Sequence, residues 1–336
     1  MHPTEQEENN NKFLKSIKII IQRMGNLTGL EAIGLVAILA FVLNTFFAFD
    51  LVITRKPFLQ SLLRVEDPSS SVPPKLSAGS AETDTELMSQ VLPATGVELP
   101  IVWGDLGKQM VASGVIDQKK LETLYQDRGG MSSDMKRMLV DSDNGRVKIT
   151  QDNSNTVLNL LWALGLGNQN EILDKGEMQD AKYGGAANFA STGGWSLSAG
   201  KTMDHYSKHR FIKLTGEQQA LVDRVSKNIF RPCCGNSTHF PDCNHGMAML
   251  ALLELMANQG VSEQDMYKAA LVVNSYWFPN NYLTIASYFK KQGTEWNKVD
   301  PKVVLGSEYS SSQGYKQLLQ RVDPQQVPQS KSGCGV

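Results

Sequence analysis

The feature that most restricts this chain is an unbroken apolar run from Ala32 to Phe49 (AIGLVAILAFVLNTFFAF), with no charge and only Asn44 and Thr45 as polar side chains. A helix needs roughly 20 such residues to cross about 30 Å of hydrocarbon. Residues 31–54 are therefore expected to form a single N-terminal transmembrane helix, with residues 32–53 against the bilayer lipid. The next apolar stretches, Val157 to Leu166 and Met247 to Ala257, are about half as long and have the length of core helices. A secretory signal peptide is the competing reading. The late start of the run and the lack of a small-x-small cleavage pattern after it disfavour that reading.

Lys12, Lys15, Lys18 and Arg23 precede the run, and Arg55, Lys56 and Arg64 follow it. The small basic excess on the N-terminal side predicts a cytoplasmic tail and an extracytoplasmic domain. Within the tail, residues 1–30, the segment KFLKSIKIIIQRM suits either an interfacial helix or a helical extension of the span. Residues 55–98 are expected to be a flexible Pro/Ser-rich stalk, because EDPSSSVPPKLSAGSAETDTE holds too few apolar groups to fold alone. The part of it after Arg64, about 34 residues up to Leu99, would reach roughly 30 Å if flexible, enough to hold a domain clear of the headgroups. The LPATG at Leu92 to Gly96 matches a sortase pattern, yet such a signal needs an apolar span after it, and here the span comes first.

Beyond the stalk the expected fold class is mainly α: one mostly helical globular domain over residues 99–322 with at most a small β-hairpin, then a flexible tail over 323–336. Apolar residues recur at three- and four-residue spacing in Asp105 to Ser113, Asp117 to Arg128, Asn155 to Leu166, Gly216 to Phe230, Gly246 to Asn258 and Glu263 to Phe278. Thr215 with Gln218, and Ser262 with Asp265, have the spacing of capping boxes. Strand signals are confined to Arg146 to Thr150 and, briefly, Arg210 to Leu214. The Gly-rich stretch Tyr183 to Lys201 is expected to be a surface loop that packs Phe189 and Trp195 on the helices and forms one wall of a cleft. It ends in Gly200-Lys201-Thr202, but the first glycine of a phosphate-binding loop would fall at Trp195, so no nucleotide cofactor is expected. A formal net charge of -1 provides no general attraction for nucleic acid, which is excluded as a partner.

Three of the four cysteines and two of the five histidines fall in Cys233 to His245, CCGNSTHFPDCNH. Thiolate and imidazole suit zinc, copper and similar cations, and four of them close a tetrahedral site. The candidate ligands are Cys233, Cys234, His239, Cys243 and His245. Adjacent cysteines tend to diverge, so one of Cys233 and Cys234 is expected to join the other three. Asp242 is an additional ligand or an orienter of an imidazole. Met247 and Met249 would suit copper(I), although methionine on an apolar helix is usually core filler. The spacing is not that of a zinc finger, a haem attachment site or a ferredoxin. Two other readings stay open. In an oxidising compartment Cys243 would pair with Cys233 or Cys234 and staple the flanking helices. Alternatively, the third thiol would take part in exchange, with Cys334 as a resolving partner.

His205 and His209 are four apart and on a helix would share a face, which makes them further candidate ligands if that helix packs by the cysteine loop. Tyr276, Trp277, Phe278 and Tyr282 would line a pocket or fill the core. The sequence thus predicts a membrane-anchored extracytoplasmic metal-binding protein using zinc or copper. The alternatives are an assembly module with a disulfide-stapled loop and a thiol redox protein. Its expected partners are the bilayer and a protein in the membrane or envelope. No motif with a helix-borne H-E-x-x-H or paired carboxylates marks it as an enzyme.

Overall fold

The computed structural model describes residues 78–126 and 129–322, with only the backbone of residues 78–84. The expected membrane span, the tail before it, the stalk up to residue 77 and the C-terminal tail with Cys334 lie outside the described residues. Among the described residues no helix is long and apolar enough to cross a membrane.

Fourteen helices and one two-stranded sheet make up this part. In order they are α1 (Ala78–Val91), β1 (Val97–Gly104), α2 (Leu106–Ser113), α3 (Gln118–Gln126), α4 (Ser133–Val140), β2 (Asn144–Ile149) and α5 (Ser154–Gly167). Then follow α6 (Glu171–Lys175), α7 (Ala190–Gly193), α8 (Gly216–Ser226), α9 (Asn244–Asn258) and α10 (Glu263–Trp277). The last four are α11 (Pro279–Lys291), α12 (Pro301–Val304), α13 (Ser307–Ser310) and α14 (Ser312–Val322).

The two central helices are buried nearly all round. In α5 every residue from Thr156 to Gly167 is buried, and in α9 every residue from Asn244 to Ala257, as expected of helices without a polar face. They form the most extensive helix pair among the described residues. Gly165 permits the close approach: a Cβ there would stand 2.3 Å from the carbonyl oxygen of Met247, well inside van der Waals contact. This contact falls one turn after the start of α9, so it also sets where the residues at that helix's N-terminus stand. The helices α8 and α10 pack on the flanks of α9. The caps follow the sequence signals. Thr215 and Gln218 form a complete capping box on α8, and Ser262 Oγ accepts from the Asp265 backbone N–H on α10.

Three expectations need correction. The globular part begins before residue 99: α1 is helical, and Leu87, Val91 and Leu92 lie in the core. The LPATG segment is folded between α1 and β1, where the Pro93 carbonyl accepts from Tyr276 Oη at 2.7 Å. The Ser- and Thr-rich composition of 78–91 hid a few well-placed apolar residues whose burial depends on distant partners. The sheet is not a hairpin either. β2 pairs antiparallel with β1, in register Val97 with Ile149 and Gly104 with Asn144, while Arg210 to Leu214 forms no strand. The outer edge of β1 is satisfied at Val102 by the Gln259 side chain, which accepts from its N–H and donates to its carbonyl, both at 2.8 Å. Finally, Tyr183 to Lys201 is not loop throughout: Ala186–Asn188 and Ala190–Gly193 are short helical turns, while residues 195–201 carry no helix and Phe189 packs on the core as expected. Trp195 is buried edge-on to Trp162 at 5.1 Å and donates to the Val115 carbonyl.

Candidate metal centre

The chain leaves α8 through Ile229 and Arg231, turns at Pro232-Cys233-Cys234, and folds back along its own path. Thr238 N–H donates to Ile229 O and His239 N–H to Ser226 O. The Cys234 N–H bonds the Arg231 carbonyl, and the Cys234 carbonyl accepts from Ser312 N–H at the start of α14. The backbone of the turn is thus held by backbone partners, and the sulfurs are left to face inward. At the far end of the loop Cys243 is the N-cap of α9, its Sγ accepting from Gly246 N–H at 3.4 Å.

Cys233 Sγ lies 3.8 Å from Cys243 Sγ and 3.2 Å from Cys234 Sγ. One ring nitrogen of His245 is within 4.8 Å of the sulfurs of both Cys233 and Cys243, and Cys234, Asp242 and Cys243 form a second such group. Tetrahedral bonds of roughly 2.0–2.3 Å place donor atoms about 3.3–3.8 Å apart, so the Cys233–Cys243 pair already has the separation of two ligands. These residues lie close enough to hold a metal ion. None of the three cysteines is in a disulfide. The expected divergence of the adjacent cysteines is not observed.

His245 is 7% exposed. Its ring is walled by Phe278, with centroids 4.5 Å apart, and by Trp277 at 5.6 Å. Its Nδ1 is buried and has no hydrogen-bond partner among the described residues, a costly state for an imidazole nitrogen unless something else fills it.

The sequence reading missed Arg231. It is 1% exposed, and its Nε donates to Cys243 Sγ at 3.0 Å. The rest of the guanidinium donates to the Asn236 carbonyl at 3.1 Å, the Phe240 carbonyl at 3.2 Å and Asp242 Oδ1 at 2.6 Å. Burial alone would lower its pKa, but Cys243, Cys234, Cys233 and Asp242 outweigh burial and hold it above the usual arginine value. The Cys243 sulfur thus accepts from both a guanidinium and a helix N-terminal N–H, and the thiolate is the form of a cysteine that ligates metals and attacks disulfides. Cys234 differs. The contact with Cys233 lowers its pKa, but Cys243 and burial prevail and push it above the ordinary thiol range, so it keeps its proton at neutral pH. Gly246 is part of the arrangement, since a Cβ there would stand 2.6 Å from the guanidinium. The only hint of Arg231 in the sequence is a cation following Ile229 and Phe230 directly ahead of Pro-Cys-Cys.

The remaining candidates do not join this centre. His239 turns away, its Nε2 lying 2.7 Å from Asp223 Oδ1. Burial raises the Asp223 pKa, but hydrogen bonds from Lys227 and His239 outweigh it and leave the carboxylate below its usual value. His205 and His209 are not on a helix: they occupy a turn clipped to the end of α5 by the bonds of Ser207 N–H to Leu166 O and His209 N–H to Gly167 O. His205 Nε2 must donate to the Ala199 carbonyl at 2.8 Å, so in the neutral ring Nδ1 accepts from His209 Nε2, 3.1 Å away. Burial, and then His205, lower the His209 pKa. Met247 and Met249 are core residues, as are Tyr276 and Tyr282. A cleft of about 700 Å³ between α4, β2 and the start of α5 shares no residue with the thiol cluster.

No protein-family model, curated protein or solved structure matches this chain.

Proposed function

We propose that this protein binds one zinc ion through Cys233, Cys243 and His245, and that an N-terminal span over residues 31–54 carries the site outside the membrane. The observation that carries the metal reading is His245: a buried ring whose Nδ1 lacks any partner among the described residues, and one nitrogen of which lies within 4.8 Å of two sulfurs already at ligand spacing. Charge supports zinc over copper. Two thiolates and the Asp242 carboxylate, set against Arg231, leave a double negative charge that a divalent cation neutralises in a buried place, whereas copper(I) leaves one charge uncompensated. Arg231 and Gly246 then act on the Cys243 sulfur as outer donors that orient a ligand, and a water completes the coordination. The apolar run Ala32 to Phe49 and the basic excess ahead of it support the anchor and its direction.

The test is metal analysis of the full-length chain, purified in mild detergent under reducing conditions without chelator. About one zinc per chain is expected in the parent protein and none in Cys243→Ser or His245→Ala. Copper in place of zinc would correct the choice of ion, and a parent protein with no metal that also fails to take up added zinc would end the proposal.

A further inference from the structure

We infer that the zinc ligands proposed above are also a redox pair: Cys233 and Cys243 close to a disulfide when a small-molecule disulfide oxidises them, and the ion leaves. This rests on the metal reading for its consequence but on separate geometry for its chemistry. The two sulfurs are 3.8 Å apart and ten positions apart in sequence, so a bond of about 2.05 Å requires an approach of about 1.8 Å. Gly235 and Pro241 punctuate the turn between them. Cys234 is closer to Cys233, at 3.2 Å, but it is the wrong partner. Consecutive α-carbons across a trans peptide are about 3.8 Å apart, below the range of roughly 4.4–6.8 Å that an unstrained disulfide spans.

Exposure sets the order of events. Cys233 is partly exposed and Cys243 is buried, so an incoming disulfide meets Cys233 first. The Cys233 thiolate attacks one sulfur of the oxidant, breaking its S–S bond and expelling one thiolate, and leaves a mixed disulfide on Cys233. The Cys243 sulfur, which already accepts from Arg231 Nε and Gly246 N–H, then attacks Cys233 Sγ and expels the second thiolate. Two cysteine sulfurs lose two electrons in all, the oxidant is reduced to two thiols, and those thiols take up two protons. Oxidation removes two of three ligands at once. His245 alone cannot retain the ion.

The experiment titrates the zinc-loaded full-length chain in detergent with oxidised glutathione. Released zinc is followed with a chromophoric chelator, and the disulfide is mapped by mass spectrometry without reduction. One zinc released per Cys233–Cys243 disulfide, reversed by a thiol reductant and preserved in Cys234→Ser, is the expected result. A Cys233–Cys234 disulfide, zinc retained after Cys233 and Cys243 have joined, or no disulfide in the metal-free chain would overturn the inference. A chain that never binds zinc but still joins Cys233 to Cys243 would sink the metal reading while leaving the redox pair standing.

Discussion

The cysteine turn at 233–245 and the histidine turn at 205–209 looked alike as clusters of potential ligands, and the fold treats them in opposite ways. In the histidine turn the bonded ring nitrogens are satisfied by the protein itself, by the Ala199 carbonyl and by each other. In the cysteine turn the Nδ1 of His245 is left without a partner among the described residues, and one nitrogen of the same ring stands within 4.8 Å of the sulfurs of Cys233 and Cys243. Proximity of donor types is therefore a poor criterion for a site. What separates the two is whether the protein has already supplied the partners.

That contrast breaks most visibly at Arg231. Replacing it with Met should destabilise the domain by about 3–5 kcal/mol, because Asp242 and two carbonyls lose a buried cation, whereas His239→Gln, removing a half-exposed pair, should lower stability by less than about 1 kcal/mol. Urea unfolding of both variants measures the difference, and equal effects would mean that the guanidinium does not organise the turn. The next effect is on affinity. His245→Ala should weaken zinc binding by more than about 100-fold, exceeding what loss of an outer orienting group does, and the double variant His205→Gln/His209→Gln should leave it within about twofold. Competition with a chelator of known affinity reads both, and a loss in the double variant would put the histidine turn back in the site.

A third cluster serves as a control. Glu254 on α9 is 0% exposed, and its two oxygens accept from the side-chain amides of Asn168 and Asn170. Burial raises its pKa to about 8, the two amides opposing. The folded state therefore holds this proton through a range where the unfolded chain has released it, so stability should fall as pH rises from about 4.5 to about 8, by at most about 1.4 kcal/mol per pH unit. Glu254→Gln should flatten that part of the pH–stability curve without changing metal content. Thr215→Ala, which removes the capping box of α8, should cost about 1 kcal/mol in the same urea measurement.

Several elements were readable in advance because their signals are local. The periodicity of α5 and α9, the Thr215 capping box and the helix start at Ser262 each depend on residues within one or two turns. The helices α1, α4, α11 and α14 went unread; in α1 the apolar residues are sparse, and Leu87 and Val91 are buried by elements far along the chain, α11 among them. Arg146 to Thr150 announced a strand, but its partner lies some 48 residues earlier, as the Arg146–Glu98 pair shows, beyond the reach of a local pattern.

For the site, the chain order alone determined that thiols and imidazoles gather in one turn between two helices, since composition and spacing are properties of the chain. The fold decided which of them meet. His239 and His245 are six positions apart with the same side chain, yet one is turned to Asp223 and the other is walled between Trp277 and Phe278. Only packing could make that choice, because a buried nitrogen's partners come from elements far away in sequence, and a cation such as Arg231 becomes part of a centre only when folding removes it from water.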